Sequence, residues 1–575
     1  MSTFFKERTH DTMQMKVVKK VTKLGGRGGG GGGKNEDTGL RPYWVEKIPP
    51  CSYQCPSAED IRGYLTHIAQ SEKYDRTHHQ AFTDAWHKIT ERNPFPAIMG
   101  RVCPHPCEKA CNRGHLDTPV AINSMERWVG DWGISQKLAL SKATDEKRSE
   151  KVAVVGGGPT GFSCAYQLAR RGYQVTVFEG NAKVGGMLRY GIPSYRLPEE
   201  VIDAEFGKIL DLGVELRTGV QVGKDVTLDE LARDYQAVYL GIGAQKGVNL
   251  GIPGEDAPNC FSGVDFLQRI TVGEKIEVGD KVIVIGGGNT AIDAARTSRR
   301  LGAHVTLLYR RTRKEMPAIE HEITEAEHEG VAYEFLAAPL EVVVEGGRAV
   351  GVKCQRMELG EPDASGRRRP VALPGSEYVV PATAVIAGIS QSAVFTGLEQ
   401  FRSERGWIEA SDVYETAVPN VWAGGDVTVG LGIATEAIGA GRKAAEAIDR
   451  KLRGAEAPPP DARRLIRHDQ IVGLQLNEKK PRQERRSLPV NERLVGFAEV
   501  DHTYEETEAV TESKRCLSCG LCCDCDNCFM YCQDKAVERL DKSLPIGQHY
   551  KVIHEKCIGC KKCAEACLCG MIDMK

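Results

Sequence analysis

The sequence predicts an α/β protein with two Rossmann-like dinucleotide-binding units, an N-terminal helical iron–sulfur domain and a C-terminal ferredoxin-like domain that carries two 4Fe–4S clusters. Three observations predict it. Apolar strands run straight into glycine loops and helical patterns at Lys151 and again at Lys281. Two cysteine quartets near the end share one spacing, and a separate group of five cysteines precedes the first glycine loop.

Length and composition set the frame. At 575 residues the chain has room for about three to five domains. Its 41% hydrophobic and 27% charged residues are ordinary for a globular protein. A net charge of −2 gives no global field toward nucleic acid or anionic lipid, so neither nucleic acid nor membrane is expected as a partner. No uninterrupted apolar run reaches a membrane-spanning length of about 18 residues, and the first twenty residues lack the apolar core of a secretory signal. The reading is a soluble, cytoplasmic chain. Of its 20 cysteines, five lie between Cys51 and Cys111, three in the next 404 residues and twelve in the final 60. In a reducing compartment such crowding points to metal–sulfur chemistry before disulfides.

Residues 1–40 hold eight Lys/Arg against four Asp/Glu and the run Gly25–Gly33, which reads GGRGGGGGG. Such a segment cannot bury a core and is expected to be a flexible arm, either a passive tail or a basic arm that docks on a partner. Residues 41–145 read as helices joined by cysteine-bearing loops, with the capping-box pattern Ser57-Ala-Glu-Asp60 starting a helix directly after Cys55. Residues 146–245 and 386–455 are assigned to the first dinucleotide unit, 246–385 to the second, 456–510 to a linker entered through Ala457-Pro-Pro-Pro460, and 511–575 to the ferredoxin-like tail. The tail is too poor in large apolar residues to fold by burial alone, so metal clusters are expected to supply its core.

The first loop, Gly156-Gly-Gly158-Pro159-Thr160-Gly161, fits G-x-G-x-x-G, where backbone N–H groups and a helix N-terminus meet a pyrophosphate. The next strand, Val175–Glu179, ends in an acid 18 residues past Gly161, placed to accept from an adenosine ribose 2′-OH. The second loop, Gly286-Gly-Gly288-Asn289-Thr290-Ala291, is the G-x-G-x-x-A variant, and the strand after it ends in Tyr309-Arg310-Arg311 instead of an acid. Two guanidinium groups in that position favour a 2′-phosphate, hence NADP(H) over NAD(H). Two nucleotide sites in one chain suggest hydride passing between a nicotinamide and a flavin, a reaction that needs no general base from the protein.

In the tail, Cys522, Cys525, Cys528 and Cys532 have C-x2-C-x2-C-x3-C spacing, repeated at Cys557, Cys560, Cys563 and Cys567. In two-cluster ferredoxins of this pattern the fourth cysteine of each run serves the other cluster. One 4Fe–4S cluster is therefore assigned to Cys522, Cys525, Cys528 and Cys567, the other to Cys557, Cys560, Cys563 and Cys532. Cys516, Cys519, Cys523 and Cys569 are left over, and Cys516 and Cys519 could enter the first set in a shifted register. Neither quartet is followed by the usual proline. Cys164, Cys260 and Cys354 have no partners at ligand spacing and read as small buried hydrophobes.

The motif Val421-Trp-Ala-Gly-Gly-Asp426 with the helical Thr435–Arg442, the segment Gly185–Pro193 and the stretch Arg310–Pro317 together resemble the glutamate synthase small subunit family. The resemblance implies an FAD domain split by an inserted nicotinamide domain, with Gly186, Leu188 and Asp426 joining the first loop at FAD. It also implies an N-terminal cluster held by Cys55, Cys103 and Cys107, with Glu126 as an acidic fourth ligand unless that residue is a solvated helix position. Cys51 and Cys111 are left over, and either could replace Glu126. Family members bind two clusters here, but the cysteine-rich stretch upstream of Cys51 is missing, which leaves one cluster expected here and three in all. The Pro49–Arg62 entry combined with the cysteine-dense tail is most similar to the iron–sulfur flavoproteins of the dissimilatory sulfite reductase system. That likeness implies a homodimeric NAD(P)H:acceptor oxidoreductase exchanging electrons with siroheme-containing sulfite reductase. The alternatives are an enzyme of the same build serving glutamate synthase, a transhydrogenase or ferredoxin, and a redox-sensing scaffold without turnover.

Overall fold

The computed structural model describes residues 37–575 apart from Ser365, Ser543 and Leu544; the expected N-terminal arm lies almost wholly outside the described residues. Both glycine loops grow from parallel sheets. The first sheet runs in the order Val421–Ala423, Ala237–Leu240, Lys151–Val155, Gln174–Glu179, Glu215–Thr218, every pairing parallel. The second runs Ala332–Phe335, His304–Tyr309, Lys281–Ile285, Ala384–Ala387, Cys260–Ser262, again parallel throughout. Both central strands are buried apart from their first residue, as expected where helices cover both faces. A three-stranded antiparallel sheet, Ala337–Glu345, Arg348–Pro362 and Arg368–Pro381, is added to the second unit.

The second unit is inserted into the first, and the two chain crossings pair with each other: Lys246–Gly247 lies antiparallel to Gln391–Ser392. The units are also latched by buried charge. Arg196 of the first unit pairs with Asp293 at 2.7 Å and with Glu322 at 3.0 Å, while Arg296 and Arg300 of the second unit share Glu329 at 2.7 Å each. Arg300 also lies 3.7 Å above the ring of Tyr195.

The N-terminal helices Ile61–Ala69, His78–Thr90, Pro96–Val102 and Ile122–Ser135 do not form a separate body. Their Tyr64, Phe82, Trp86 and Phe95 share one core with Phe162, Tyr166 and Phe206 of the first dinucleotide unit. Ser57 does not start the helix that follows Cys55. Asp60 caps it, accepting from Gly63 N at 2.9 Å, because the Ser57 hydroxyl is already engaged by the Cys55 thiol and by Glu59.

The expected linker is a packed strap beyond its exposed Pro458–Pro460 entry. Ile466, Ile471, Leu474, Val500 and Tyr504 are buried. Glu499 binds Arg101 at 2.7 Å and Arg127 at 2.8 Å, and Arg485 donates to Asn123 Oδ1 at 2.5 Å. The strap leads into the helix Glu506–Ser513 and then into the tail. There, Val537–Arg539 pairs with Tyr550–Val552, and the last strand, Ile572–Met574, pairs antiparallel with Pro42–Trp44. The tail's core is largely sulfur: Cys522, Cys528, Cys563, Cys567 and Cys569 pack with Val537, Tyr550, Met571 and Ile572.

The buried latch carries a stability prediction. Glu329→Ala leaves buried Arg300 without a carboxylate and Arg296 with Glu322 alone, and is expected to cost about 3–5 kcal/mol. Chemical denaturation monitored by far-UV circular dichroism checks it, and a cost below about 1 kcal/mol, the surface-pair range, would show that the latch is solvated.

Candidate redox centre

At the first loop, Gly156 holds φ +105°, and a Cβ there would stand 2.4 Å from Gly241 O. The helix Pro159–Ala169 starts directly behind it with Pro159 at its first position, so its free N–H groups face the loop. Thr160 Oγ1 lies 2.5 Å from Tyr239 Oη, which fixes the side chain against the sheet. Glu179 ends the next strand with its carboxylate at the loop: Oε2 accepts from Gly157 N at 2.7 Å and Oε1 from Asn181 N at 2.7 Å. Gly186 lies against Gly158, with Leu188 buried in the short helix that follows. Asp426 begins the helical turn after Gly424-Gly425, and burial pushes its carboxyl up to about 6. These residues enclose one end of the sheet, and their backbone donors and paired acids suit an FAD dinucleotide.

The second loop repeats the geometry. Gly286 holds φ +142°, where a Cβ would stand only 2.2 Å from Gly388 O, and Gly288 precedes the helix Asn289–Arg300. Asn289 Oδ1 accepts from Ile319 N at 2.9 Å, Thr290 Oγ1 accepts from Gln391 Nε2 at 3.5 Å, and Ala291 is buried against Gly388. The paired-arginine reading needs correction. Arg311 is buried, donating to Arg368 O at 2.7 Å and to Asp363 Oδ2 at 2.7 Å, so it braces the added antiparallel sheet. Arg310 is exposed at the strand end and makes no ion pair among the described residues. It alone of the two is available to a 2′-phosphate.

All twenty cysteines carry free thiols. Among the described residues no three His, Cys, Asp or Glu side chains converge to the spacing of a single bound ion; thiols stand around cavities instead. Cys557, Cys560, Cys563 and Cys532 line one cavity, with Pro42 and Met574 at its wall. Cys522, Cys525, Cys528 and Cys567 line a second, with the extra thiols Cys523 and Cys569 beside them. The crossed assignment of fourth cysteines matches this placement. The two halves share a turn: Asp524 and Gly559, each two residues past the first cysteine, have left-handed backbones with φ of +53° and +69°. Gly559 N–H thereby points at Cys557 Sγ, 3.4 Å away.

At the N-terminal end Cys55, Cys103, Cys107 and Glu126 face one another. Cys107 and Glu126 are buried and Cys103 half-buried, and desolvation, then the Glu126 carboxylate and the Cys55 thiol, push the Cys103 thiol up. His105, with φ +40°, directs its N–H to Cys103 Sγ at 3.3 Å, the same turn as in the tail. Glu126 is no solvated helix position: it is 6% exposed and accepts from Asn93 Nδ2 at 3.0 Å. Buried Glu59, reached by the same Asn93, has no motif in the sequence to mark it. Three thiols and a carboxylate fit a 4Fe–4S cluster with one oxygen ligand. Cys51 and Cys111 do not replace Glu126; they line a different cavity together with Cys516 and Cys519, which therefore do not enter the ferredoxin set either. Cys164 and Cys354 are fully buried, and Cys260 partly so.

The N-terminal thiols touch the flavin unit. Cys55 Sγ is 3.1 Å from Ser57 Oγ, which accepts from Thr435 Oγ1 at 3.3 Å on the helix that follows the Asp426 motif. Gly439 on that helix lets it approach Pro56, whose carbonyl oxygen would lie 2.3 Å from any Cβ added there. No sequence spacing links residues 57 and 435.

If Arg310 grips the 2′-phosphate, Arg310→Ala removes a charged hydrogen bond and raises KM for NADPH roughly tenfold to a hundredfold with little change for NADH. Steady-state kinetics with a dye acceptor measure this, and equal effects on both nucleotides would sink the assignment.

Residues 150–441 match the pyridine nucleotide-disulphide oxidoreductase family, and residues 46–138 match the dihydropyrimidine dehydrogenase domain II, 4Fe-4S cluster family. The chain is 38% identical over 506 residues to the NADP(+)-dependent formate dehydrogenase subunit beta of Moorella thermoacetica, covering 82% of this chain and 70% of that protein. It is 35% identical over 513 residues to the NADPH-Fe(3+) oxidoreductase subunit beta of Geobacter sulfurreducens (82% and 75%), and 35% identical over 423 residues to the glutamate synthase [NADPH] small chain of Escherichia coli (70% and 88%). The chain belongs to the pyridine nucleotide-disulphide oxidoreductase family, in its glutamate synthase small subunit-like branch, and is an FAD- and iron–sulfur-dependent NADPH oxidoreductase.

Proposed function

We propose that this oxidoreductase, as a homodimer, exchanges electrons between NADP(H) and siroheme-containing dissimilatory sulfite reductase, as DsrL-type flavoproteins do. The observation that carries the proposal is the cysteine-dense tail, RCLSCGLCCDCDNCFMYCQD with CIGCKKCAEACLCGM, fixed to a glutamate synthase-like body. FAD held at the first loop would supply the conversion of a two-electron hydride from NADPH into single electrons for the clusters, which cannot take hydride. The chain's own residues orient these groups. The two glycine loops hold the dinucleotides, the Arg196–Asp293 latch fixes one unit against the other, and Ser57 and Thr435 tie the N-terminal thiols to the flavin unit. The tail supports exchange with a protein partner because Cys532, which lines one of its thiol cavities, follows directly on the exposed Phe529, Met530 and Tyr531. Among the described residues no helix is long and apolar enough to cross a membrane.

A second reading has support in the relatives named as beta subunits, whose match to this chain is about 80 to 90 residues longer than that of the glutamate synthase small chain. In that reading the chain is the NADPH-facing subunit of a complex whose other subunit oxidises or reduces a different small substrate. Anaerobic NADPH oxidation by the purified protein, with sulfite and with or without dissimilatory sulfite reductase, separates the two. Oxidation is expected only when both are present; no stimulation despite rapid dye reduction would overturn the sulfite reductase reading. Cys560→Ala is expected to lose iron and transfer to the protein partner while NADPH still bleaches the flavin. Loss of bleaching as well would show the tail to be structural for the nucleotide sites.

A further inference from the structure

We infer that Cys51, Cys111, Cys516 and Cys519 bind a further 4Fe–4S cluster, whose ligands come from both ends of the chain and which joins the N-terminal cluster to the ferredoxin-like tail. These four thiols line one cavity, closed by Arg62 and Arg113. None forms a disulfide. Four half-buried thiols around one space, beside two guanidinium groups that would balance the negative charge of a thiolate-ligated cluster, are a donor set suited to iron and sulfide.

A second, independent observation is the turn at Cys516. Ser518, two residues on, has a left-handed backbone at φ +49°, which aims its N–H at Cys516 Sγ, 3.4 Å away. The same turn is found at Cys103, Cys522 and Cys557, one thiol in each of the other three sets. A left-handed serine is costly where no constraint requires it, and here it gives Cys516 the N–H contact that Cys103, Cys522 and Cys557 have.

The position of the site follows from the helices that carry it. Cys51 and Cys55 lie one turn apart, with Cys55 N donating to Cys51 O at 3.1 Å, and Cys107 and Cys111 are likewise four residues apart. Each pair therefore gives one thiol to the Glu126 site and one to this site, the two sites lying about one helical turn, roughly 6 Å, apart along the chain. On the other side only two residues separate Cys519 from Cys522 of the tail, at most roughly 11 Å of extended chain. The two thiols from the tail are held in place by Arg62, which donates to Cys519 O at 3.0 Å, and by Arg113, which donates to Arg515 O at 2.5 Å. The cluster thus completes an unbroken series from the flavin unit to the end of the tail.

The test uses the full chain purified without oxygen, analysed for iron and acid-labile sulfide and, after dithionite reduction, by electron paramagnetic resonance. Four clusters correspond to about sixteen iron atoms per chain. Cys51→Ala and the double variant Cys516→Ala/Cys519→Ala, altered more than 460 residues apart, are each expected to lose about four irons and the same resonance. Cys354→Ser, outside every thiol cavity, serves as control and retains both. Unchanged iron in either variant, or loss of different resonances, would overturn the inference. Should a variant fail to fold, the wild-type count decides, because about twelve irons leave none for this site.

Discussion

Arg515 is wholly buried, and what it grips determines where the last sixty residues go. Its guanidinium donates to Pro119 O, Thr118 O and Lys480 O and pairs with Asp117 and with Glu512, whose side chain is itself buried. Glu512 in turn accepts from Ala121 N at 2.7 Å, next to the helix that carries Glu126. A charge that deep is stable only when fully bonded, so the strap, the loop 117–121 and the helix 506–513 have one arrangement relative to each other. The residue after Arg515 is Cys516, and the placement of the C-terminal thiols against the N-terminal ones depends on this anchor.

A similar economy governs the flavin side. The helix Ala434–Arg453 packs on the helix Pro159–Ala169 so closely that Gly441 would place a Cβ 2.1 Å from Thr160 O, and two residues earlier Gly439 meets Pro56. One helix thus touches the dinucleotide loop's helix and the N-terminal cysteine loop together. Any side chain at either glycine separates the two, and the distance an electron travels from flavin to the first thiol set is fixed by the absence of two methyl groups.

Much of this was legible in the sequence because it is local. The strand–glycine–helix starts, the acid at Glu179 and the two ferredoxin quartets depend on spacings under about twenty-five residues, which backbone geometry enforces. What was not legible depends on distant contacts. Arg311 reads as a phosphate ligand until Asp363, 52 residues on, claims it. Cys51 and Cys111 lack partners in their own neighbourhood because those partners arrive more than 400 residues later. The segment 456–510 reads as a linker because Ala457-Pro-Pro-Pro460 opens it; its anchors include ion pairs such as Arg101–Glu499, which leave no apolar periodicity in the sequence. Ser57 matches a capping pattern, but a thiol two residues away competes for its hydroxyl.

The pairing of Pro42–Trp44 with Ile572–Met574 closes the chain on itself. With Arg515 at one end and this short ribbon at the other, the ferredoxin-like tail is held at both of its termini. It is therefore not a carrier on a tether that leaves one docking place for another. Electrons have to reach it through a rigid body, and a partner has to come to it, so the spatial order of the cofactors, and not diffusion of a domain, sets which group is reduced next.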